Sequence, residues 1–447
     1  MGAKASPPLP PTFVKGFHEP DVVRRMPYRP LGRTGLVVSA IGFGGSSVGG
    51  SFGPVEQADA RHAVKSALLA GINYIDCPNQ TAPWYGDSEV RLGEALADVP
   101  REAFLIATKV GRYAGPIEDR FNFSADRVKS SVLDSLRRLK LPYVDVIQVH
   151  DVEFAPSLDV ILEETLPALQ ELKDLGLVRF IGVTGYPLGP LEEMVRRSRV
   201  PVDLVLSYCR HTLADDALSR SPLLALLVER GVGVVNAGAV AMGLLAPGGP
   251  PPWHPAGETM WAACAEVREL CRLAAAGTGS AVPPLDDVTS EDSSWKWGRK
   301  AGQEEGQSDG SSSSVGCCDW GTSLAAAGSV SGERGVKGGE PAEEAAASKR
   351  HPAHRWDIAT LAVRRAALSD PRIHTTLIGT ASSAQVAANV AAVCEPPTPA
   401  EAETSRAVMA LLRERLGPGG GAWEGTEVSE YWRATGARLA LRHIYRR

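Results

Sequence analysis

Eight times along this chain, a short apolar run is followed by a stretch with helical spacing. The apolar runs span 37–43, 73–77, 104–110, 143–149, 178–184, 203–208, 231–237 and 375–379. Helical patterns follow at 56–70, 88–97, 125–139, 160–175, 190–197, 222–230, from 258 onward, and at 383–393. Runs such as VDVIQV and VGVVNA suit strands of a parallel sheet buried on both faces. Eight strand–helix units close a (β/α)8 TIM barrel, an α/β fold. The rival is a doubly wound open sheet. Its nucleotide-binding form carries GxGxxG between the first strand and helix, with an acid ending the second strand. GFGGSSVGG does not fit that pattern cleanly, and a loop of about ten residues separates it from the helix. The barrel is the expected architecture.

The chain has 447 residues, enough for one barrel of about 250 residues with insertions. Residues 1–26 are Pro-rich and lack a period, so a flexible lead is expected. Residues 277–350 are rich in Gly, Ser, Ala and Glu, a composition that buries too little apolar surface to offset chain entropy. Helical patterns at 259–275 and 357–368 flank them, so the stretch reads as a disordered insertion between the last two strands. The barrel then occupies 27–276 and 351–416, with a helix at 400–416 and a tail over 417–447. The net charge of −5 gives no general attraction to nucleic acid. The absence of a long apolar run argues against a transmembrane helix. Gly2 sits in a loose myristoylation pattern, but prolines follow at once, and no stable membrane association is expected. Seven irregularly spaced cysteines indicate reduced thiols and a cytoplasmic protein.

The stretch NYIDCPNQTAPWYG carries the chemistry. Asp76 ends a strand, and Tyr85 follows in the next loop. Two later strands end in Lys109 and His150. In a parallel barrel all these ends share one face, where active sites are built. A phenol is a poor acid or base near neutrality, but a nearby ammonium stabilises the phenolate. Lys109 would supply that charge, and Asp76 would hold Lys109. His150 would orient a substrate oxygen. Together they suit proton transfer coupled to hydride transfer, which requires a nicotinamide because no side chain carries hydride. Singly, each residue has a structural explanation: a loop cap, an interior ion pair, a satisfied histidine, a packed aromatic. Jointly, at three consecutive strand ends, they point to function. No metal is indicated, since the set offers one His and one carboxylate with a Lys between them.

LGRTGLVVSAIGFGG, YIDC…PWYG-SE, ATKVG, YVDVIQVHD, FIGVTGYP and LIGTASSAQVAAN resemble the aldo-keto reductase family over residues 27–394, apart from the insertion. The resemblance implies Asp76, Tyr85, Lys109 and His150 as the catalytic tetrad. It further implies a monomer acting on a small sugar by oxidation of its anomeric hydroxyl. The alternatives are an aldehyde or pyridoxal reductase, or a non-catalytic nicotinamide sensor like the β subunits of potassium channels. Cofactor contacts are implied for Thr184, Gly185, Ser207, Asn236, Gly238, Val240, Gly379, Thr380, Gln385 and Asn389. Two departures stand out. Tyr85 lies nine residues beyond Asp76, where the family spaces the pair by five. Gln385 stands where NADP-using relatives place a basic residue against the 2′-phosphate, so NAD is expected over NADP.

Overall fold

The computed structural model describes residues 6–79, 87–276, 356–417 and 422–435. Eight parallel strands close into a barrel: β3 (Ile41–Gly44), β4 (Tyr74–Asp76), β5 (Leu105–Val110), β6 (Val144–Val149), β7 (Val178–Gly185), β8 (Leu204–Tyr208), β9 (Gly233–Ala237) and β10 (Thr375–Gly379), with β10 pairing both β9 and β3. Alternate residues divide between two cores. Tyr74, Leu105, Ala107, Val146, Leu204 and Leu206 fill the barrel interior. Ile75, Ile106, Ile147 and Val205 face the helices instead. Both faces being apolar explains the near-continuous runs. The period of two also aims the strand ends. Asp76 extends the interior row of Tyr74, Lys109 that of Ala107, and Gln148 that of Val146.

The first expected strand is two. Residues 37–43 divide at Ala40 into β2 (Val37–Ser39) and β3. β2 pairs antiparallel with β1 (Tyr28–Pro30), not with the barrel. Leu31, Leu36 and Val38 of this hairpin join the interior core. Arg33 donates to the carbonyls of Arg230 and Val202, just before β9 and β8, so the hairpin seals the N-terminal end. Gly32 permits the approach: it has φ +52°, and a Cβ there would meet the Gly231 carbonyl oxygen at 2.5 Å. The expected flexible lead also differs from its described part. Thr12, His18, Val23 and Met26 are buried, Asn73 donates to Thr12 Oγ1 at 2.9 Å, and a short helix α1 (Pro20–Val23) forms. These anchors are aperiodic, so no sequence pattern announces them.

The outer layer contains α2 (Gln57–Leu69), α3 (Ser88–Ala95), α4 (Ala125–Leu139), α5 (Leu158–Val160), α6 (Leu166–Asp174), α7 (Leu188–Arg197), α8 (Ala217–Arg220) and α9 (Pro222–Glu229). A π-helical turn, Ile161–Thr165, joins α5 to α6. Pro167 lies just beyond it and has no N–H for the preceding turn, which accounts for the locally altered ladder. α10 (Glu258–Ala275), α11 (Ile358–Leu368), α12 (Ser383–Cys394), α13 (Pro399–Leu416) and α14 (Thr426–Ala434) complete the chain. α10, α11 and α13 share a second core around Val267, Leu361, Leu411 and Trp423. The insertion expected over 277–350 lies outside the described residues. Among the described residues, no helix is long and apolar enough to cross a membrane.

Candidate active site

Three of the four expected catalytic side chains meet at the C-terminal end of the barrel. Lys109 Nζ is bonded to Asp76 Oδ1 and donates to the Cys77 carbonyl at 3.2 Å. Asp76 Oδ2 accepts from Gln148 Nε2 at 2.6 Å. His150 follows β6, its backbone N–H donating to the Val110 carbonyl at 2.8 Å. Asp76, Lys109, Gln148 and His150 are all buried. Tyr85 lies outside the described residues.

Electrostatics fix the state of the imidazole. Burial lowers the His150 pKa from 6.5 to about 3; Asp151 opposes this, while Lys109 and Arg112 add to it. The ring is therefore neutral near pH 7, a hydrogen-bonding group rather than a cation. Its Nε2 lies 3.6 Å from Asp151 Oδ2, which is paired with Arg112 at 2.5 Å. Asp151 sits in the left-handed region at φ 52°. Cys77, beside the pair, has its thiol pushed well up, first by burial and next by Glu89. It is not a ready nucleophile.

The expected cofactor residues fall into two groups. Thr184 lies on the interior row near the end of β7 and accepts the Asp151 N–H at 3.0 Å. Gly185 follows it. Gly379 ends β10, where a Cβ would meet Ser47 Oγ at 2.6 Å; Thr380 comes next and is buried. Gln385 is exposed in the first turn of α12, its Oε1 accepting the Ala381 N–H at 2.9 Å. Asn389 is half-buried further along. Ser382 caps this helix by accepting the Gln385 N–H. Ser207 and Asn236 form the second group. They are register partners on β8 and β9, on the helix-facing side, and Asn236 donates to the His211 carbonyl at 3.1 Å. Gly238, at φ 68°, and half-buried Val240 lie in the turn after β9.

A nicotinamide dinucleotide fits this donor set at the α12 end. The free N–H groups of a helix N-terminus suit a phosphate, and no carboxylate occurs from Thr380 to Asn389. Lys or Arg is equally absent there. Ser207 Oγ and Asn236 Oδ1 are buried with no partner among the described residues, yet their side of the strands places them away from the interior row.

Two site residues were not anticipated. Gln148 touches Asp76 directly; the available signal was a polar residue inside the apolar run VDVIQV, two before His150. Glu89 accepts from Thr108 Oγ1 at 2.6 Å and from Arg138 Nε at 2.7 Å, tying the start of α3 to the strand that carries Lys109. The C-terminal segment also reaches this end. Trp423 stacks on Tyr186, ring centroids 4.8 Å apart, and its backbone N–H donates to the Tyr186 hydroxyl at 3.1 Å.

The family model described as "Aldo/keto reductase family" matches residues 40–276. This chain belongs to the aldo/keto reductase family. The reductase is 47% identical to the L-galactose dehydrogenase of Arabidopsis thaliana over 251 residues, covering 55% of this chain and 75% of that one. It is 31% identical to a D-threo-aldose 1-dehydrogenase of a Pseudomonas species over 234 residues, covering 47% and 69%. Among solved structures, a holo aldo-keto reductase from Bacillus halodurans is similar at a TM-score of 0.56 and 24% identity, covering 86% of this chain and 96% of that one. That likeness concerns the fold. Like its family, this reductase is an oxidoreductase built for a nicotinamide cofactor.

Proposed function

We propose that this aldo/keto reductase oxidises the anomeric hydroxyl of L-galactose to L-galactono-1,4-lactone with NAD, a step of ascorbate biosynthesis. The observation that carries the reading is the buried Asp76–Lys109 pair beside a neutral His150, in a chain 47% identical to an L-galactose dehydrogenase over 251 residues. Nicotinamide, when bound, supplies the hydride acceptor. The residues manage the rest. His150 donates a hydrogen bond to the sugar's O1 and fixes its direction. Tyr85, as phenolate stabilised by Lys109, takes the O1 proton while C1 gives up its hydrogen with the bonding electrons, leaving a C1 carbonyl. Thr184, Gly185, Gly379 and Thr380 flank the cofactor, and Gln385 replaces the basic residue that a 2′-phosphate would need.

Initial rates of the purified protein with L-galactose test the reading. NAD should give a kcat/KM at least about tenfold above NADP, the scale of one lost charge-assisted bond to the extra phosphate. Tyr85→Phe should abolish turnover and leave NAD binding intact. A preference for NADP removes the cofactor assignment, and near-normal kcat in Tyr85→Phe removes the acid–base assignment. The likeness to a D-threo-aldose 1-dehydrogenase favours one second reading, an enzyme for a different aldose. A panel of fucose- and arabinose-like sugars separates the two. The nine-residue spacing of Asp76 and Tyr85 favours another, a nicotinamide sensor. Tight NAD binding without turnover of any sugar or aldehyde would support it.

A further inference from the structure

We propose that Gln148 is a positioning residue of this site, directing the charge of Asp76 onto Lys109. The inference rests on the proton-handling reading given above. Gln148 and Lys109 are register partners on adjacent parallel strands, and both side chains enter the barrel interior. They divide one carboxylate between them: Lys109 takes Oδ1 and Gln148 Nε2 takes Oδ2 at 2.6 Å. That is the only hydrogen bond Gln148 makes through its side chain among the described residues, and its Oε1 is buried without a partner. Earlier on the same interior rows, Tyr74, Ala107 and Val146 belong to one apolar core. An apolar side chain would match that core and leave no amide half satisfied, but it would take from Asp76 Oδ2 the donor that Gln148 supplies. Space has been left for the amide as well. Its register partner on β7 is Gly182, where a Cβ would lie 3.2 Å from Gln148 Cγ and closer still to Leu204. What the amide provides is direction. Rotation about the last bond of an aspartate is broad, so a carboxylate held at one oxygen alone is free to turn. Held at both, Asp76 keeps Oδ1 on the ammonium that the phenol requires.

The test uses Gln148→Leu and Gln148→Glu in the full chain, with two readouts. One is kcat and KM for L-galactose across pH. The other is the rate at which trace acetic anhydride acylates Lys109, followed by peptide mass, which needs no turnover. Gln148→Leu should lower kcat about tenfold, the scale of one buried bond to a charged group, with KM nearly unchanged. It should also speed Lys109 acylation, because a carboxylate free to turn no longer keeps the amine covered against the reagent. In Gln148→Glu the protonated acid donates the same bond to Asp76, so activity should persist at the acid end. It should then fall on a new limb as pH rises, because the ionised form cannot donate and repels Asp76. A merely structural role would lower the unfolding temperature and create no such limb. Should Gln148→Leu fail to fold, Gln148→Glu at low pH decides alone. Wild-type pH profiles and Lys109 rates in the folded variants would overturn the proposal. A wild-type protein inert toward every sugar and aldehyde would overturn the functional reading instead, and Lys109 acylation would still judge Gln148.

Discussion

His211 shows what burial does to an imidazole outside the active site. Burial lowers its pKa from 6.5 to about 4, helped by Arg365, while Ser369 Oγ at 3.1 Å and Ser219 Oγ at 2.8 Å bracket the ring. The fold excludes a proton that the unfolded chain takes up. The stabilisation is therefore complete above pH 6.5 and is lost as pH falls toward 4. Asp215 acts in the opposite sense, because burial raises its carboxyl to about 6. A comparison with His211→Asn isolates the histidine. Between about pH 7.5 and 4.5 the variant should lose roughly 1–3 kcal/mol less stability than the wild type in urea unfolding. Equal losses would show that His211 is not the proton acceptor. At the active site, Lys109→Met should lower kcat by about 10²-fold or more while cofactor binding, read by fluorescence titration, survives. Asp76, Lys109 and His150 were legible in the sequence because strand ends announce themselves, whereas Tyr85 lies outside the described residues. Gln148 was not legible, because a glutamine inside an apolar run gives no hint of its partner until the partner is in place.

Whole strands are tied by single acids. Asp145, fully buried on β6, accepts the Ile106 N–H of β5 at 2.9 Å, Arg101 at 2.6 Å and Arg179 of β7 at 2.7 Å. Asp203 repeats the device before β8, accepting from Ile181 N–H at 3.0 Å and Lys173 at 2.7 Å. Removing one partner of a buried charge network costs about 3–5 kcal/mol, so Asp145→Ala should lower the denaturant midpoint accordingly. A change below about 1 kcal/mol, the scale of an exposed pair, would contradict this. α14 is held differently, by aromatic contact. Phe121 and Phe154 stack at 4.2 Å, and Tyr431 meets both rings edge-on at 5.0 and 5.7 Å. Tyr431→Ala should release residues 426–434 to hydrogen exchange while the barrel strands keep their protection. Loss of protection throughout would mean that α14 is part of the cooperative core. The sequence around α14 has aromatics without a period, so only the docking surface defines the element.

For the molecule as a whole, the question is whether the barrel needs residues 277–355. α10 and α11 flank them and share one core with α13, in which Met260, Val267, Ile358 and Val408 are buried together. α11 also starts on its own signal. Asp357 accepts the Thr360 N–H at 2.8 Å, and the Thr360 hydroxyl faces back to the Asp357 N–H. Replacing 277–355 by a short Gly/Ser linker should leave kcat unchanged and the unfolding temperature within a few degrees, since loop closure changes by only about 0.6 kcal/mol per doubling of length. Collapse of either would assign the insertion a structural role. By itself the sequence determined the eightfold alternation, the parallel sheet and the face on which Asp76, Lys109 and His150 emerge. Those follow from periods of two and 3.6, which are written within a dozen residues. Tertiary packing decided the rest. It brought Gln148 to Asp76 across 72 positions and Trp423 to Tyr186 across 237. Such contacts depend on which side chains distant segments bring to one place, and no local pattern encodes that placement.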